Sequence, residues 1–192
     1  MSDTYLVCGL GNPGSKYKFT RHNVGFLTLD KLALNLNETI NKKMFKGLYT
    51  DARINNKKVV ILQPQTYMNL SGECIAHFKE YYKIEIENII VVCDDINLKP
   101  GNLRIRKSGG AGGHNGLKSI IALLGTQDFM RVRIGVGGGG LSSTSGHVLG
   151  NFAEDEFKII SEIVEESVLA VNEIIYSNLD NAMNKFNRKL DT

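Results

Sequence analysis

Cysteines and closely spaced metal ligands are scarce in this chain. Its three cysteines, Cys8, Cys74 and Cys93, lie far apart within apolar stretches, which favours buried, reduced thiols over disulfides. Neither a CxxC sequence nor a pair of closely spaced histidines occurs. A metal site therefore has no local signature in the sequence.

Long apolar runs are also absent. No run approaches the roughly 18 residues that a membrane-spanning helix needs, and the chain begins Met1-Ser2-Asp3 without the basic start of a secretory signal. We therefore expect a cytoplasmic protein that does not bind a membrane. Hydrophobic residues make up 42% of the 192 residues and charged ones 22%, which predicts one folded domain over residues 1–192.

Excess charge is small but unevenly distributed. The net charge of +3 and the pI of 8.7 fall short of the pI above about 9 that would by itself indicate nucleic-acid binding. Residues 99–133 contain seven Lys and Arg against one acid, whereas residues 154–173 contain seven acids against one lysine. This polarity gives an anionic partner a preferred side.

Short apolar runs alternate with segments of helical period. Three runs predict buried strands: residues 5–8, 58–62 and 89–93. Helical spacing follows each of them: residues 24–33, 75–82 and 117–124. The alternation predicts an α/β fold in three layers, with helices on both faces of one sheet.

Two further runs, residues 103–106 and 131–136, alternate apolar and basic residues. They predict strands with one charged face, which together would form a basic rim. A Gly/Ser-rich stretch, residues 137–146, precedes two amphipathic helices over residues 154–176 and 179–186.

Gly9-Leu10-Gly11-Asn12-Pro13-Gly14 follows the first predicted strand and matches the GxGxxG pattern of dinucleotide-binding folds. Those folds need a helix that begins within the glycines and an acid at the end of a second strand roughly 20 residues on. Here residues 16–20 have the character of a loop, and the acid at that distance, Asp30, lies in a helical pattern. A dinucleotide-dependent oxidoreductase is therefore disfavoured, and a tight turn is the simpler interpretation.

Polar residues gather where the predicted strands end. Asn12 follows the first strand, Asn69 the second and Asp94 the third, and His22 lies at the start of the first predicted helix. Ligands bind beyond the carboxyl ends of strands in open α/β sheets. We therefore expect a binding site at this edge.

His22 and Asp94 have the chemistry of a catalytic pair. The positive end of a helix dipole disfavours the imidazolium form, so His22 would stay neutral and able to accept a proton. Asp94 would bind the other ring nitrogen and fix its tautomer. Taken singly, a surface or capping histidine and a turn aspartate are the more ordinary interpretations.

The glycine-rich residues 109–116 open the third predicted helix, so their amides and the Asn115 side chain could donate to an oxyanion or a phosphate. A flexible loop is the alternative. The guanidinium groups of Arg106 and Arg133 suit phosphate, although solvated strand faces would also carry them. Cys93 adjoins Asp94, but a cysteine that closes an apolar strand favours packing over nucleophilic chemistry.

Four motifs in order closely resemble bacterial-type peptidyl-tRNA hydrolases, and the likeness covers nearly the whole chain. The motifs are Gly9-Leu10-Gly11-Asn12-Pro13-Gly14, Thr20-Arg21-His22-Asn23-Val24-Gly25, Thr66-Tyr67-Met68-Asn69-Leu70-Ser71-Gly72 and Gly112-Gly113-His114-Asn115-Gly116-Leu117-Lys118-Ser119. The resemblance implies a monomeric enzyme with no metal and no other cofactor, built on a twisted mixed sheet between helices. It would cleave peptidyl-tRNA at the ester between the peptide and the 3′-terminal ribose, freeing tRNA for translation.

The resemblance also implies residue roles. His22 would be the catalytic base, Asp94 its orienting carboxylate and Asn115 a catalytic amide. Five residues would bind the substrate near the ester: Asn12, Tyr17, Met68, Asn69 and His114. Arg106 and Arg133 match the positions that hold the 5′-phosphate of tRNA. A non-catalytic RNA-binding protein on the same scaffold is the competing hypothesis, and the presence of His22, Asp94 and the asparagines argues against it.

Two segments depart from the family pattern. Cys93-Asp94-Asp95-Ile96-Asn97-Leu98 stands where the family commonly has His-Asp-Asp-Leu-Asp-Leu, so the presumed catalytic acid is kept but a neighbouring histidine and a later acid are lost. Gly138-Gly139-Gly140 replaces the usual His-Pro-Gly. The second change affects the expected lid rather than the hydrolytic residues.

Overall fold

The computed structural model describes residues 4–138, 145–154 and 156–187. Its strands are β1 Thr4–Gly9, β2 Lys42–Met44, β3 Gly47–Ile54, β4 Lys57–Pro64, β5 Ile89–Asp95, β6 Leu103–Arg106 and β7 Met130–Gly135. They form one mixed sheet in the order β2-β3-β4-β1-β5-β7-β6. The four central strands are parallel, and the strands at both ends of the sheet pair antiparallel with their neighbours.

Helices cover both faces of this sheet. Their bounds are α1 Val24–Asn35, α2 Ser71–Tyr82, α3 Asn115–Leu124, α4 Ser145–Val148, α5 Glu156–Tyr176 and α6 Leu179–Phe186. One face packs against α1, α5 and α6, and the other packs against α2 and α3. The predicted α/β fold in three layers, with helices on both faces of a mixed sheet, is confirmed.

Two hydrophobic cores result from the alternation of side chains along the buried strands. On β5, Ile90 and Val92 belong to the core beneath α1 and α5, whereas Val91 and Cys93 belong to the core beneath α2 and α3. Successive strand residues point to opposite faces, and a parallel strand covered on both sides is apolar throughout. This explains why the continuous apolar runs of the sequence predict β1, β4 and β5.

The hairpin of β2 and β3 has no counterpart among the predicted strands. These strands lie at one end of the sheet, and they carry several charged residues, among them Lys42, Lys43 and Arg53. A strand that is only partly covered lacks the continuous apolar run by which β1, β4 and β5 are found.

The predicted basic rim is wrong at Arg131. The sequence alternation places Arg131 on the charged, solvent-facing side of its strand, but only 2% of it is exposed, because the glycine-rich loop and Phe129 contact it there. Its guanidinium donates to the backbone oxygens of Gly110 and Gln127, at 2.6 and 3.3 Å, and lies over the ring of Phe129. Arg131 therefore anchors the glycine-rich loop instead of facing a partner.

Much of the Gly/Ser-rich stretch, residues 139–144, lies outside the described residues. The altered segment that the sequence associates with a lid therefore has no structural account beyond its ends. Across the described parts of the chain, every helix is too short or too polar to span a membrane.

All three cysteines are free thiols in the cores. Burial raises the pKa of each thiol: for Cys74 to about 12 and for Cys8 and Cys93 well above the usual range.

Thiolate is the reactive form, so we expect the three thiols of the native chain not to react with an aromatic disulfide reagent. In the urea-unfolded chain, all three thiols should react and release three equivalents of the coloured aromatic thiol. Rapid reaction of a native thiol would contradict this packing role.

Candidate active site

A cavity of about 740 Å³ lies beyond the carboxyl ends of the central strands. Its wall comes from the segments that follow β1, β4 and β5, from the start of α3 and from β7. Open α/β sheets bind ligands at this position. The topology therefore brings together polar residues that are far apart in the sequence.

The cavity collects nine of the ten residues predicted for the site. Its wall includes the three predicted catalytic residues, His22, Asp94 and Asn115. It also includes the five predicted substrate-binding residues, Asn12, Tyr17, Met68, Asn69 and His114, and one predicted phosphate ligand, Arg133. Arg106 lies exposed on β6 and is not part of the wall.

His22 is held close to the sheet by its flanking backbone. It lies in a 3₁₀ turn, Arg21–Asn23, that leads directly into α1. A Cβ atom at Gly25 would lie 2.5 Å from the backbone nitrogen of Leu10 and 2.6 Å from the carbonyl oxygen of Val92. Only glycine allows α1 to begin this close to the ends of β1 and β5, and this approach brings His22 to Asp94.

Asp94 is a buried carboxylate that accepts from two histidines. Its Oδ1 lies 2.7 Å from Nδ1 of His22 and 3.0 Å from Nε2 of His114. Burial by itself raises the pKa of Asp94, but the attraction of His114 and hydrogen bonds from both histidines outweigh it and hold that pKa well below its usual range. The carboxylate is therefore ionised, and each histidine must direct an N–H towards it.

His114 has a defined tautomer. Its Nδ1 accepts from the backbone N–H groups of Gly116 and Leu117, at 3.1 and 3.3 Å, and thereby caps α3. Nε2 must then carry the proton that is donated to Asp94. Of the backbone amides of residues 109–116 that the sequence offers to an oxyanion or a phosphate, that of Gly116 is not available, because it already donates to His114.

The cluster of His22, Asp94 and His114 also has the composition of a metal site, with ligand atoms within 4.8 Å of one another. The hydrogen bonds oppose that interpretation. A histidine binds a metal through an unprotonated nitrogen, but both nitrogens of His114 are already used, one as donor and one as acceptor. Metal binding at this cluster would have to displace the helix cap.

Asn12 is fixed by a reciprocal pair of hydrogen bonds with Asn23. The backbone N–H of Asn12 donates to Oδ1 of Asn23, and Nδ2 of Asn23 donates to the carbonyl oxygen of Asn12, both at 2.9 Å. Oδ1 of Asn12 accepts from the backbone N–H of Met68, also at 2.9 Å. With its oxygen occupied, Asn12 has its amide N–H groups left to donate into the cavity.

The remaining amide side chains approach the cavity from two directions. Asn69 lies in the 3₁₀ turn before α2, and Asn115 is the first residue of α3, immediately after His114. Both are exposed at the cavity wall, so their amide groups are accessible to a ligand. Met68, which is almost fully buried, adds apolar surface to the cavity wall.

Arg133 marks the cationic side of the cavity. Its Nη2 lies 2.9 Å from Oδ2 of Asp95, a buried carboxylate whose other oxygen accepts from the backbone N–H of Asn97. Adjacent strand residues point to opposite faces, so Asp94 turns towards His22 while Asp95 turns towards Arg133. Two neighbouring acids therefore serve different parts of the cavity.

The segment that closes the other side of the cavity is fastened next to His22. Val148 and Leu149 contribute to the wall. Arg21, which precedes His22, donates to the carbonyl oxygen of Asn151 at 2.9 Å and forms an ion pair with Glu156. The position of this wall is thus linked to the turn that carries His22.

Two residues that position the site have no predicted role. Asn23 appears in the second sequence motif, but nothing in the pattern indicates that it holds Asn12. Asp95 could have been found from the alternation along β5, since that alternation directs it away from Asp94 and towards the arginines of β7.

Replacing Asn23 by alanine tests the hydrogen bonds that hold Asn12. The change leaves the buried N–H of Asn12 without an acceptor, which costs about 1–3 kcal/mol of unfolding free energy. Urea unfolding measures it, with Asn35→Ala at the exposed end of α1 as the control. Equal, small effects of the two changes would show that the reciprocal pair does not stabilise the turn.

Known proteins with similar sequences and structures are peptidyl-tRNA hydrolases. The peptidyl-tRNA hydrolase family model matches residues 6–192. Over 183 residues the chain is 51% identical to a peptidyl-tRNA hydrolase of Alkaliphilus metalliredigens and 49% identical to one of Clostridium novyi, covering 95% of this chain and 99% and 97% of those proteins. The crystal structure of peptidyl-tRNA hydrolase from Acinetobacter baumannii is similar with a TM-score of 0.91 at 36% identity, covering 97% of this chain and 96% of that one.

Proposed function

The chain belongs to the peptidyl-tRNA hydrolase family, and from that membership we propose that it hydrolyses the ester between a peptide, or an N-blocked amino acid, and the 3′-terminal ribose of tRNA. The products are a free peptide and a tRNA that can be used again in translation. The enzyme is therefore a carboxylic ester hydrolase whose substrate is peptidyl-tRNA.

The observation that carries this proposal is the hydrogen bond of 2.7 Å between Nδ1 of His22 and the ionised Asp94. It fixes the proton on Nδ1, so Nε2 holds a lone pair, and among the described residues no group donates a hydrogen bond to it. His22 lines the cavity, and a general base needs such a lone pair within reach of its substrate.

The reaction follows from this arrangement. Nε2 of His22 takes a proton from a water molecule as the water oxygen attacks the ester carbonyl, and Asp94 stabilises the imidazolium that forms. The tetrahedral intermediate carries an oxyanion, which the amide donors of Asn69 and Asn115 stabilise. The imidazolium then gives its proton to the ribose oxygen as the ester C–O bond breaks.

The other site residues bind and position the substrate. Asn12 donates from its fixed amide to the peptide backbone, and Met68 and Tyr17 supply apolar contact near the end of the substrate. The resemblance implies that His114 binds substrate, but both of its nitrogens are engaged within the protein, so in this proposal it acts through Asp94 as a positioning residue. Arg133, with Arg106 further along the cationic side, binds the 5′-phosphate of tRNA.

The working form and place of the enzyme are part of the same proposal. One domain, residues 1–192, supplies every proposed catalytic residue from a single sheet edge, so a monomer suffices. The substrate arises during translation, and we therefore assign the enzyme to the cytoplasm. The chemistry described needs no metal or organic cofactor.

His22→Ala tests the general base. We expect the rate of release of an N-acetylated amino acid from its tRNA to fall by about 10²-fold or more, because base assistance contributes 10²–10⁴-fold. His77→Ala, on the exposed surface of α2, is the matched control and should retain the parent rate. A parent chain that binds this substrate without cleaving it would favour the non-catalytic RNA-binding hypothesis.

Asp95→Asn tests the assignment of the phosphate side. The change weakens the contact that orients Arg133, so we expect a higher KM for substrate with a 5′-phosphate and little change in kcat or in turnover of substrate with a 5′-hydroxyl.

Arg133→Gln tests the same phosphate contact through salt. The slope of log tRNA affinity against log salt concentration should become less steep by about one. Arg53→Gln, an exposed arginine on β3, is the control. Equal losses with both kinds of 5′ end would contradict the assignment.

A further inference from the structure

A second groove lies beside the hairpin of β2 and β3 and has no part in the proposed mechanism. Its volume is about 550 Å³, and its lining includes Met44, Phe45, Leu48 and Gln65. Gln65 is two residues before Tyr67, which lines the main cavity. The groove and the active-site cavity are therefore neighbours along one connected segment.

The strand order separates two sides of the active site. The phosphate-binding arginines lie on β7 and β6, on one side of the catalytic residues after β1 and β5, whereas the hairpin groove lies beyond β4 on the other side. A substrate whose tRNA lies towards β6 must direct its peptide towards β4 and the hairpin.

We propose that this hairpin groove binds the part of the substrate's peptide that lies several residues from the ester, in an extended conformation and through apolar side chains. The proposal rests on the proposed function and adds a remote peptide subsite to it. The groove lies between the hairpin tip and Gln65, the residue that follows β4, so the peptide binds there through side-chain contacts.

The backbone at the tip of the hairpin supports a binding role for Phe45. Phe45 and Lys46 have φ values of 47° and 57°, as both central residues of a type I′ turn require, and asparagine and glycine are the residues that favour this turn. A bulky residue with positive φ is strained. Phe45 is nevertheless 38% exposed as a residue, although its ring contacts His77, Phe78 and Tyr81 of α2, so part of its surface is open to a ligand at the groove.

The apolar lining favours a peptide over RNA as the occupant. Lys46 at the hairpin tip is paired with Glu73 at 3.6 Å, and Lys42 and Lys58 both face Asp51. These pairs offset part of the positive charge that a phosphate backbone would need, while Lys43 on the groove wall is exposed and outside them. Met44, Phe45 and Leu48 instead offer an apolar surface, and the backbone bond of 2.7 Å from Gln65 to Lys46 fixes the hairpin against β4.

The geometry predicts a threshold in peptide length. β2 lies three places from β1 in the sheet, a distance of about 14 Å at roughly 4.8 Å per strand. An extended peptide advances about 3.3 Å per residue, so about the fifth residue from the ester is the first to reach Met44 on β2, on the side of the groove opposite Gln65. An N-acetylated amino acid on tRNA cannot reach it.

Phe45→Asn tests the groove with two substrates on the same tRNA, an N-acetylated amino acid and an N-acetylated hexapeptide with apolar side chains at its far end. Asparagine suits the turn, so the hairpin should remain folded, and thermal unfolding checks this. We expect kcat/KM for the hexapeptide substrate to fall about tenfold, mainly through KM, because about one buried apolar side chain loses its contact. The short substrate should change less than about twofold by the same reasoning.

Leu48→Gln is the second variant, since it alters the groove without touching the turn, and Leu34→Gln on the exposed end of α1 is the control. The proposal is overturned if a groove variant lowers kcat/KM equally for the short and the hexapeptide substrate. It is also overturned if neither Phe45→Asn nor Leu48→Gln lowers kcat/KM for the hexapeptide substrate.

A cross-linking experiment keeps this test separate from catalysis. The His22→Ala chain is loaded with hexapeptidyl-tRNA that carries a photoreactive benzophenone on the sixth residue from the ester. Cross-links within residues 43–48 support the groove even if the chain proves inactive as a hydrolase. Cross-links confined to the main cavity or to the β6 side overturn it, whatever the hydrolytic rates.

Discussion

Burial of one carboxylate at the end of β5 is the constraint on which the rest of the site depends. An isolated charge in the interior is costly unless it is paired and hydrogen-bonded, and Asp94 has only 4% of its surface exposed. Its partners come from both sides of the sheet. His22 approaches from the start of α1, and His114 approaches from the cap of α3. Each partner in turn restricts the local fold, through Gly25 beside Leu10 and through the helix amides held by Nδ1 of His114.

Successive side chains of β5 point to opposite faces of the sheet, so Asp94 and Asp95 serve different parts of the site. Asp94 faces the histidines and Asp95 faces Arg133, so neighbouring residues connect the bond-breaking chemistry to the cationic side. The sheet order extends the same division across the molecule, from arginines near one end, through the catalytic centre, to the apolar hairpin groove at the other. In the proposed function, this order places the 5′-phosphate, the ester and the peptide side by side.

The sequence was informative where local chemistry and burial agree. Continuous apolar runs predict β1, β4 and β5 because those strands are covered on both faces, and residues at their ends predict the edge at which Asn12, Asn69 and Asp94 meet. The resemblance adds Tyr17, Met68 and His114, which no local pattern distinguishes. The hairpin escapes prediction because its strands lie towards one end of the sheet, are only partly covered and carry charged residues. Arg131 escapes because alternation gives the face of a residue but not whether a loop covers that face. The role of Asn23 depends on a contact across 11 residues, which no spacing rule contains.

A double-mutant cycle tests the central claim most directly, that Asp94 acts through His22. Hydrolysis of an N-acetylated aminoacyl-tRNA is measured for the parent chain, His22→Ala, Asp94→Asn and the double variant. We expect Asp94→Asn to lower kcat/KM by about 10²-fold in the parent, but by less than about threefold once His22 is absent, because residues that act as a unit are non-additive. The account is contradicted if the fold-loss in kcat/KM of the double variant equals the product of the fold-losses of the two single variants. Asp94 would then contribute to hydrolysis independently of the histidine that it binds.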